Sequence, residues 1–190
     1  MAIEKGRKIN QTCLNLAQDV IILSGDTIVF FEGQILGKPE TAEHAKYMLS
    51  QLNGNYHTVL SGYFILDTAS GNEISGVVCT KVKFQQMPTD FIEWYVSTGE
   101  SEGKAGAYSI QGNGIIFVES IEGSYNNVVG FPIEHIIRNM FDNGWISFSE
   151  KAQERVKAKE EAASNAAEDA KATEEAAKAE NEKPTEEVAT

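Results

Sequence analysis

The stretch SGDTIVFFEGQILGKPE, residues 24–40, carries a carboxylate and an ammonium at the two ends of what reads as a tight hairpin. Asp26 stands at the mouth of an apolar run, and Lys38 stands further on, between Gly37 and Pro39. A carboxylate in such a position can hold a divalent cation or take a proton from water. A lysine just ahead of a helix start adds a point charge to a helix end that already favours anions. Two plainer readings stand beside these: an aspartate that caps a turn through its side chain, and a lysine solvated in a loop. A third patch is KAGAYSIQGNG, residues 104–114. Its glycines let the backbone pass close to a ligand, and Gln111 offers both donor and acceptor, the combination that reads the edge of a base. The spacing is neither that of a Walker loop nor that of a dinucleotide fingerprint, so the glycines alone do not name a ligand.

The elements that must position these groups follow from periodicity. Residues 4–17 predict a helix, with Ile9, Cys13, Leu16 and Ala17 on one face. DVIILSGD, residues 19–26, is a short apolar run and predicts a buried central strand. Asp26 would then lie at the C-terminal edge of the sheet, where open α/β sheets bind their ligands. TIVFFEGQIL predicts two short strands about a turn at Glu32-Gly33. After Pro39 come Ala45, Met48, Leu49 and Leu52 at helical spacing, with Asn53-Gly54 as the stop. YHTVLSGYFILD and ISGVVCTKVKF predict two longer strands joined through TASGN; in the second, Val78, Thr80, Val82 and Phe84 alternate with Cys79, Lys81 and Lys83, so one face is wet. PTDFIEWYVSTG predicts a helix capped by Thr89 or Asp90 and stopped by Gly99. A last helix, from Pro132 to just before Gly144, would bury Ile133, Ile136, Ile137 and Met140. The sum is an α/β fold, a mixed sheet flanked by helices.

Composition narrows the function classes. The chain has 190 residues, 42% of them hydrophobic, and a formal net charge of −12. That charge argues against duplex nucleic acid as a partner, because phosphate binding needs clustered Lys and Arg. No apolar run approaches a membrane span, and MAIEKGRKIN leads into no signal-peptide core; a cytoplasmic protein is the expectation. Cys13 and Cys79 form no metal or redox motif and read as free thiols. Composition changes at residue 150: from there to residue 190 stand twelve acidic and seven basic residues and no aromatic one. Such a segment cannot bury enough apolar area to offset its ordering entropy. The chain thus reads as a body, 1–149, and an Ala/Glu/Lys-rich tail, 150–190, that is disordered or a lone helix.

In order and spacing, GDTIVF, ILGKP, MLSQLNG, HTVLSG, YVSTGE, KAGAYSIQG, VESIEG and NVVGFP resemble the Maf family of nucleoside triphosphate pyrophosphatases, and NVVGFPIEH is similar to its eukaryotic branch. The resemblance covers residues 1 to about 142. It implies a Maf/ITPase-like fold and hydrolysis of a nucleoside triphosphate to monophosphate and pyrophosphate with Mg²⁺ or Mn²⁺. It makes Asp26 the catalytic carboxylate or metal ligand and Lys38 the phosphate-neutralising cation. It assigns Thr27 and Gln111 to base selection, with Lys104 beside them on the substrate. Thr27 directly after Asp26, with GAY before SIQG, resembles the dTTP/UTP subgroup; a homodimer is left open. One family element is not matched. None of the prolines at 39, 88, 132 and 184 is followed by Arg-Arg, where the family carries a Ser-x-Ser-Pro-Arg-Arg loop ahead of the aspartate. The expectation is a domain incomplete at its N-terminus. It is either an enzyme of pyrimidine or modified pyrimidine triphosphates, or an impaired remnant that binds nucleotide weakly or serves as an interaction module.

Overall fold

Glu32 and Gly33 both take left-handed backbone, φ 46 and 83. Two such residues in succession reverse a chain with the twist that paired strands need. In the computed structural model, which describes residues 1–13 and 19–147, this turn joins β1 (Ile21–Phe31) to β2 (Gln34–Leu36). β1 then pairs with β3 (Tyr56–Asp67), from Ile21 opposite Asp67 to Phe30 opposite Thr58. β3 turns back into β4 (Glu73–Phe84), and β5 (Val118–Glu122) closes the far side, in the order β2-β1-β3-β4-β5. Every one of these pairings is antiparallel. The predicted α/β architecture with flanking helices is present. The sheet is antiparallel rather than mixed: β2 and β3 lie on either side of β1 and each runs against it, and β4 and β5 each run against the strand beside them. A parallel pair would need a crossover connection returning to the same end of the sheet.

The core lies on one face of this sheet. Val29, Phe31, Val59, Val82 and Phe84 meet α2 (Ala42–Leu52) and α3 (Thr89–Ser97) there, together with Tyr108, Ile110 and Phe117 from the segment between α3 and β5. α2 buries Ala45, Met48, Leu49 and Leu52, the four residues its spacing predicts. On β4 the alternation also holds: Val78, Thr80, Val82 and Phe84 are buried and Cys79 and Lys81 exposed. α1 (Ala2–Cys13) covers a smaller cluster of Ala2, Ile22, Phe64 and Leu66. It approaches closely because residue 6 is glycine: a Cβ there would come within 2.3 Å of the Phe64 ring. Arg7 grips Glu73 of β4 with both its Nε and Nη2, at 3.1 and 2.7 Å. α4 (Tyr125–Val129) and α5 (Ile133–Asp142) complete the described body.

Several predicted details move. The strand expected to end at Asp26 and the strand expected to begin after it are one element, β1, so Asp26 lies within a strand and not at its C-terminal edge. The N-cap of α3 is Pro88, not Thr89 or Asp90, and no side-chain cap bond is made. In α5 only Ile136 and Met140 are buried, and Ile133 and Ile137 are exposed. In α1, Ala2 and Gly6 face the sheet, while Ile9 is exposed; Leu16 and Ala17 lie outside the described residues. Cys79 is free and exposed.

Residues 1–145 form one compact unit; the tail expected over 150–190 lies outside the described residues. Among the described residues no helix is long and apolar enough to cross a membrane. At the start of α2 the Thr41 hydroxyl accepts the His44 N–H at 3.1 Å. Thr41→Ala should therefore cost about 1 kcal/mol, read as a fall of a few degrees in Tm with the same circular dichroism spectrum.

Candidate active site

Three segments meet around one cavity. β1 supplies Asp26 and Thr27, the link from β2 to α2 supplies Lys38, and the loop from α3 to β5 supplies Lys104 and Gln111. Asp26 is held from one side: Lys5 of α1 forms an ion pair with its Oδ1. The Asp26 side chain is 20% exposed and that of Lys5 52%, so the pair remains open to solvent at the lysine. The neighbouring Thr27 also lines the cavity. Its hydroxyl donates to the Gly130 carbonyl at 3.0 Å and lies 2.7 Å from the Ser61 hydroxyl. Thr27 thus fastens β1 to the Val128–Gly130 segment, which forms one wall of the site.

Lys38 and Lys104 are brought near each other by backbone. The Gly37 carbonyl accepts the Gly106 N–H at 3.0 Å, so the residue before Lys38 is tied to the loop that carries Lys104. Gly106 has φ 68, and a Cβ on it would press on Val29 at 3.0 Å; both facts call for glycine. Beyond it the loop hangs on buried side chains. The Ser109 N–H donates to the Tyr95 hydroxyl at 3.1 Å, and the Tyr108 hydroxyl lies 2.8 Å from His57 Nε2. Glu100 accepts from the Asn113 backbone at 2.9 Å and from its side chain at 2.6 Å.

The result is a cavity of about 290 Å³ whose wall includes Asp26, Thr27, Lys38, Lys104 and Gln111. All five residues that the sequence singles out are therefore brought together. Asp26 is the one acidic residue among the lining residues, and Lys38 and Lys104 are the two basic ones. Such a surface suits an anion that also needs one carboxylate close by. A divalent cation fits this donor set as a partner of the substrate. Among the described residues no cluster of three or more His, Cys, Asp or Glu gathers, and Mg²⁺ is commonly held by one or two carboxylates together with substrate phosphates. Asp26 is the residue that would contribute.

Three participants escape the sequence. Lys5 belongs to a helix whose register decides which of several charged residues faces β1. Tyr108 lines the cavity; the sequence marks it as part of GAY but not as a partner of a buried side chain. His57, 3% exposed, alternates with exposed Tyr56 on β3, which marks it as inward but not as a partner of Tyr108. Burial pushes the His57 imidazole down to about 4 and raises the Tyr108 phenol above its ordinary range, so at neutral pH the pair is uncharged.

Known proteins are similar to this chain in sequence. The dTTP/UTP pyrophosphatase of Clostridium novyi (strain NT) is 44% identical over 137 residues, 72% of this chain and 72% of the relative. The dTTP/UTP pyrophosphatase of Pyrococcus furiosus is 53% identical over 118 residues, 62% of this chain and 60% of the relative. That of Pyrococcus horikoshii is 51% identical over 116 residues, 61% of each chain. The chain thus spans about three-fifths of the Pyrococcus proteins that it matches. With the model of the Maf-like protein family matching residues 1–143, which hold every cavity residue named above, the chain belongs to that family.

Proposed function

We propose that the chain hydrolyses a pyrimidine nucleoside triphosphate, of the dTTP/UTP class, to the monophosphate and pyrophosphate. The observation that carries this reading is the convergence of one carboxylate, two lysines and the Gln111 amide on a single cavity. In the proposed reaction the Asp26 carboxylate accepts a proton from water as the water oxygen bonds to the α-phosphorus. The bond from that phosphorus to the bridging α,β-oxygen breaks, and pyrophosphate leaves with the electron pair. General-base action of this kind is worth about 10²–10⁴-fold. Lys5 orients the carboxylate through the ion pair. Lys38 and Lys104 neutralise charge on the phosphates, a contribution that grows as the leaving group gains charge. A bound Mg²⁺ or Mn²⁺ would supply further charge neutralisation on the phosphate oxygens. Gln111 meets the polar edge of the base. Thr27, whose hydroxyl is engaged by Gly130 and Ser61, shapes the wall against which the base rests. The same reading puts the chain in the cytoplasm, with the nucleotide pool on which it would act.

The test is product analysis with dTTP and UTP in the presence of Mg²⁺ or Mn²⁺. Equal amounts of monophosphate and pyrophosphate are expected. Orthophosphate as the product, or nucleotide binding with no turnover, would overturn the reading; the latter is the signature of an impaired nucleotide-binding module.

Gln111→Ala should change selection more than speed. Losing a hydrogen-bonding partner of the base is worth roughly 1–3 kcal/mol of discrimination. Relative kcat/KM for dTTP, UTP and CTP should therefore converge in the variant; unchanged ratios would remove Gln111 from base selection.

A further inference from the structure

His57 projects from β3 into the core, where its ring stands edge-on to Phe84 and to Tyr108, with centroids 4.8 and 5.4 Å away. Its Nδ1 is buried without a hydrogen-bond partner among the described residues. Its Nε2 makes a single contact of note, with the Tyr108 hydroxyl at 2.8 Å. A buried polar group with no partner is costly, and an aliphatic side chain would fill this space without that cost. What the imidazole supplies that a leucine cannot is the bond to Tyr108.

Tyr108 is well placed to pass that constraint on. The residue before it, Ala107, is fully buried and held at φ 60, a left-handed conformation that a non-glycine residue keeps only where its surroundings over-determine it. The residue after it, Ser109, is held through its N–H by the Tyr95 hydroxyl at 3.1 Å. Gln111 follows, on the cavity wall with Tyr108 itself. Two buried side chains from different elements, His57 on β3 and Tyr95 on α3, therefore grip consecutive residues just ahead of Gln111.

We propose that His57 is a positioning residue for base selection: by holding the Tyr108 hydroxyl it maintains the strained turn at Ala107 and so sets where the Gln111 amide stands in the cavity. It touches no substrate atom. The proposal rests on the pyrophosphatase reading for its kinetic consequence, but not for its structural one.

The experiment compares kcat/KM for dTTP and for CTP in the parent chain, Tyr108→Phe, His57→Leu, His57→Gln, Gln111→Ala and the double variant Tyr108→Phe/Gln111→Ala. The dTTP-over-CTP preference should fall by about tenfold in Tyr108→Phe and in His57→Leu. His57→Gln, whose amide can again reach the hydroxyl, should regain much of it. The double variant should show no further loss beyond Gln111→Ala, because residues acting through one another are not additive. A preference within about twofold of the parent in Tyr108→Phe, or a double variant whose losses simply add, overturns the proposal. Should His57→Leu not fold, Tyr108→Phe, which removes a single oxygen, carries the test. Amide hydrogen exchange over residues 107–111 of the nucleotide-free protein gives an independent readout. Faster exchange there in Tyr108→Phe is expected, and unchanged exchange overturns the positioning role. If the parent turns over neither nucleotide, the functional reading fails while the exchange measurement still decides this one.

Discussion

Asp26→Asn is expected to lower pyrophosphate release from dTTP by about 10²–10⁴-fold while leaving Tm within a few degrees of the parent. The amide is isosteric with the carboxylate, so β1 keeps its pairing with Gly62 on β3 and no cavity opens. What disappears is the negative charge that accepts a proton and that would help to hold a divalent cation. The ion pair with Lys5 disappears too, but the Lys5 side chain is 52% exposed, and pairs open to water contribute about 0–1 kcal/mol. Stability and activity should therefore separate cleanly in this variant. The controls are a thermal melt and nucleotide binding followed by isothermal titration calorimetry. Turnover of dTTP at the parent rate would show that another group accepts the proton. Loss of both activity and fold would mean that the Lys5–Asp26 pair anchors α1 far more strongly than an exposed pair should.

The separation of what the sequence does and does not reveal follows the range of the forces involved. α2 is legible because Ala45, Met48, Leu49 and Leu52 recur at the period of one helix face, and all four are buried. The wet and dry sides of β4 are legible for the same reason. The Glu32-Gly33 turn is legible because few dipeptides tolerate left-handed backbone twice in succession. Asp26 is a different case. Ser24-Gly25 looks like a strand end from its composition, yet β1 runs on through it, because β3 offers an uninterrupted line of partners from Thr58 to Asp67. Pairing is a property of two strands, and one strand's sequence does not contain it. α5 makes the same point in reverse: its Ile133, Ile136, Ile137 and Met140 are all apolar, but of these four Ile136 and Met140 are buried and Ile133 and Ile137 exposed. The candidate site was legible as a set of residues, since Asp26, Thr27, Lys38, Lys104 and Gln111 lie in motifs. What holds them was not legible. The Gly37–Gly106 backbone bond, the Lys5–Asp26 pair and the His57–Tyr108 bond each join segments far apart in the chain, and no local periodicity encodes such contacts.

The same buried histidine should make the folded body acid-sensitive in a window where few other groups titrate. Burial lowers the His57 imidazole from 6.5 to about 4. Above pH 6.5 the ring is neutral whether the chain is folded or unfolded, and the shift contributes nothing. As pH falls below 6.5 the unfolded chain binds a proton that the folded chain refuses until about pH 4. Acidification therefore favours unfolding, by an amount that grows to about 3 kcal/mol and then levels off. The groups around the ring do not oppose this. Tyr108 has its phenol raised by burial and stays neutral throughout, and Phe84 carries no charge. Glu73 and Glu134 are held below the usual carboxylate range, so their own loss of stabilisation begins at lower pH. The interval from pH 6.5 to 5 thus reports chiefly on His57, and about 2 kcal/mol should be lost across it. Urea denaturation at pH 7 and pH 5, for the parent and for His57→Leu, measures the effect. The parent midpoint should fall on acidification with an unchanged denaturant slope, and the variant midpoint should hardly move. A parent as stable at pH 5 as at pH 7 would mean that the imidazole takes up its proton in the folded state, and hence that the core around Phe84 and Tyr108 opens to water far more readily than its packing implies.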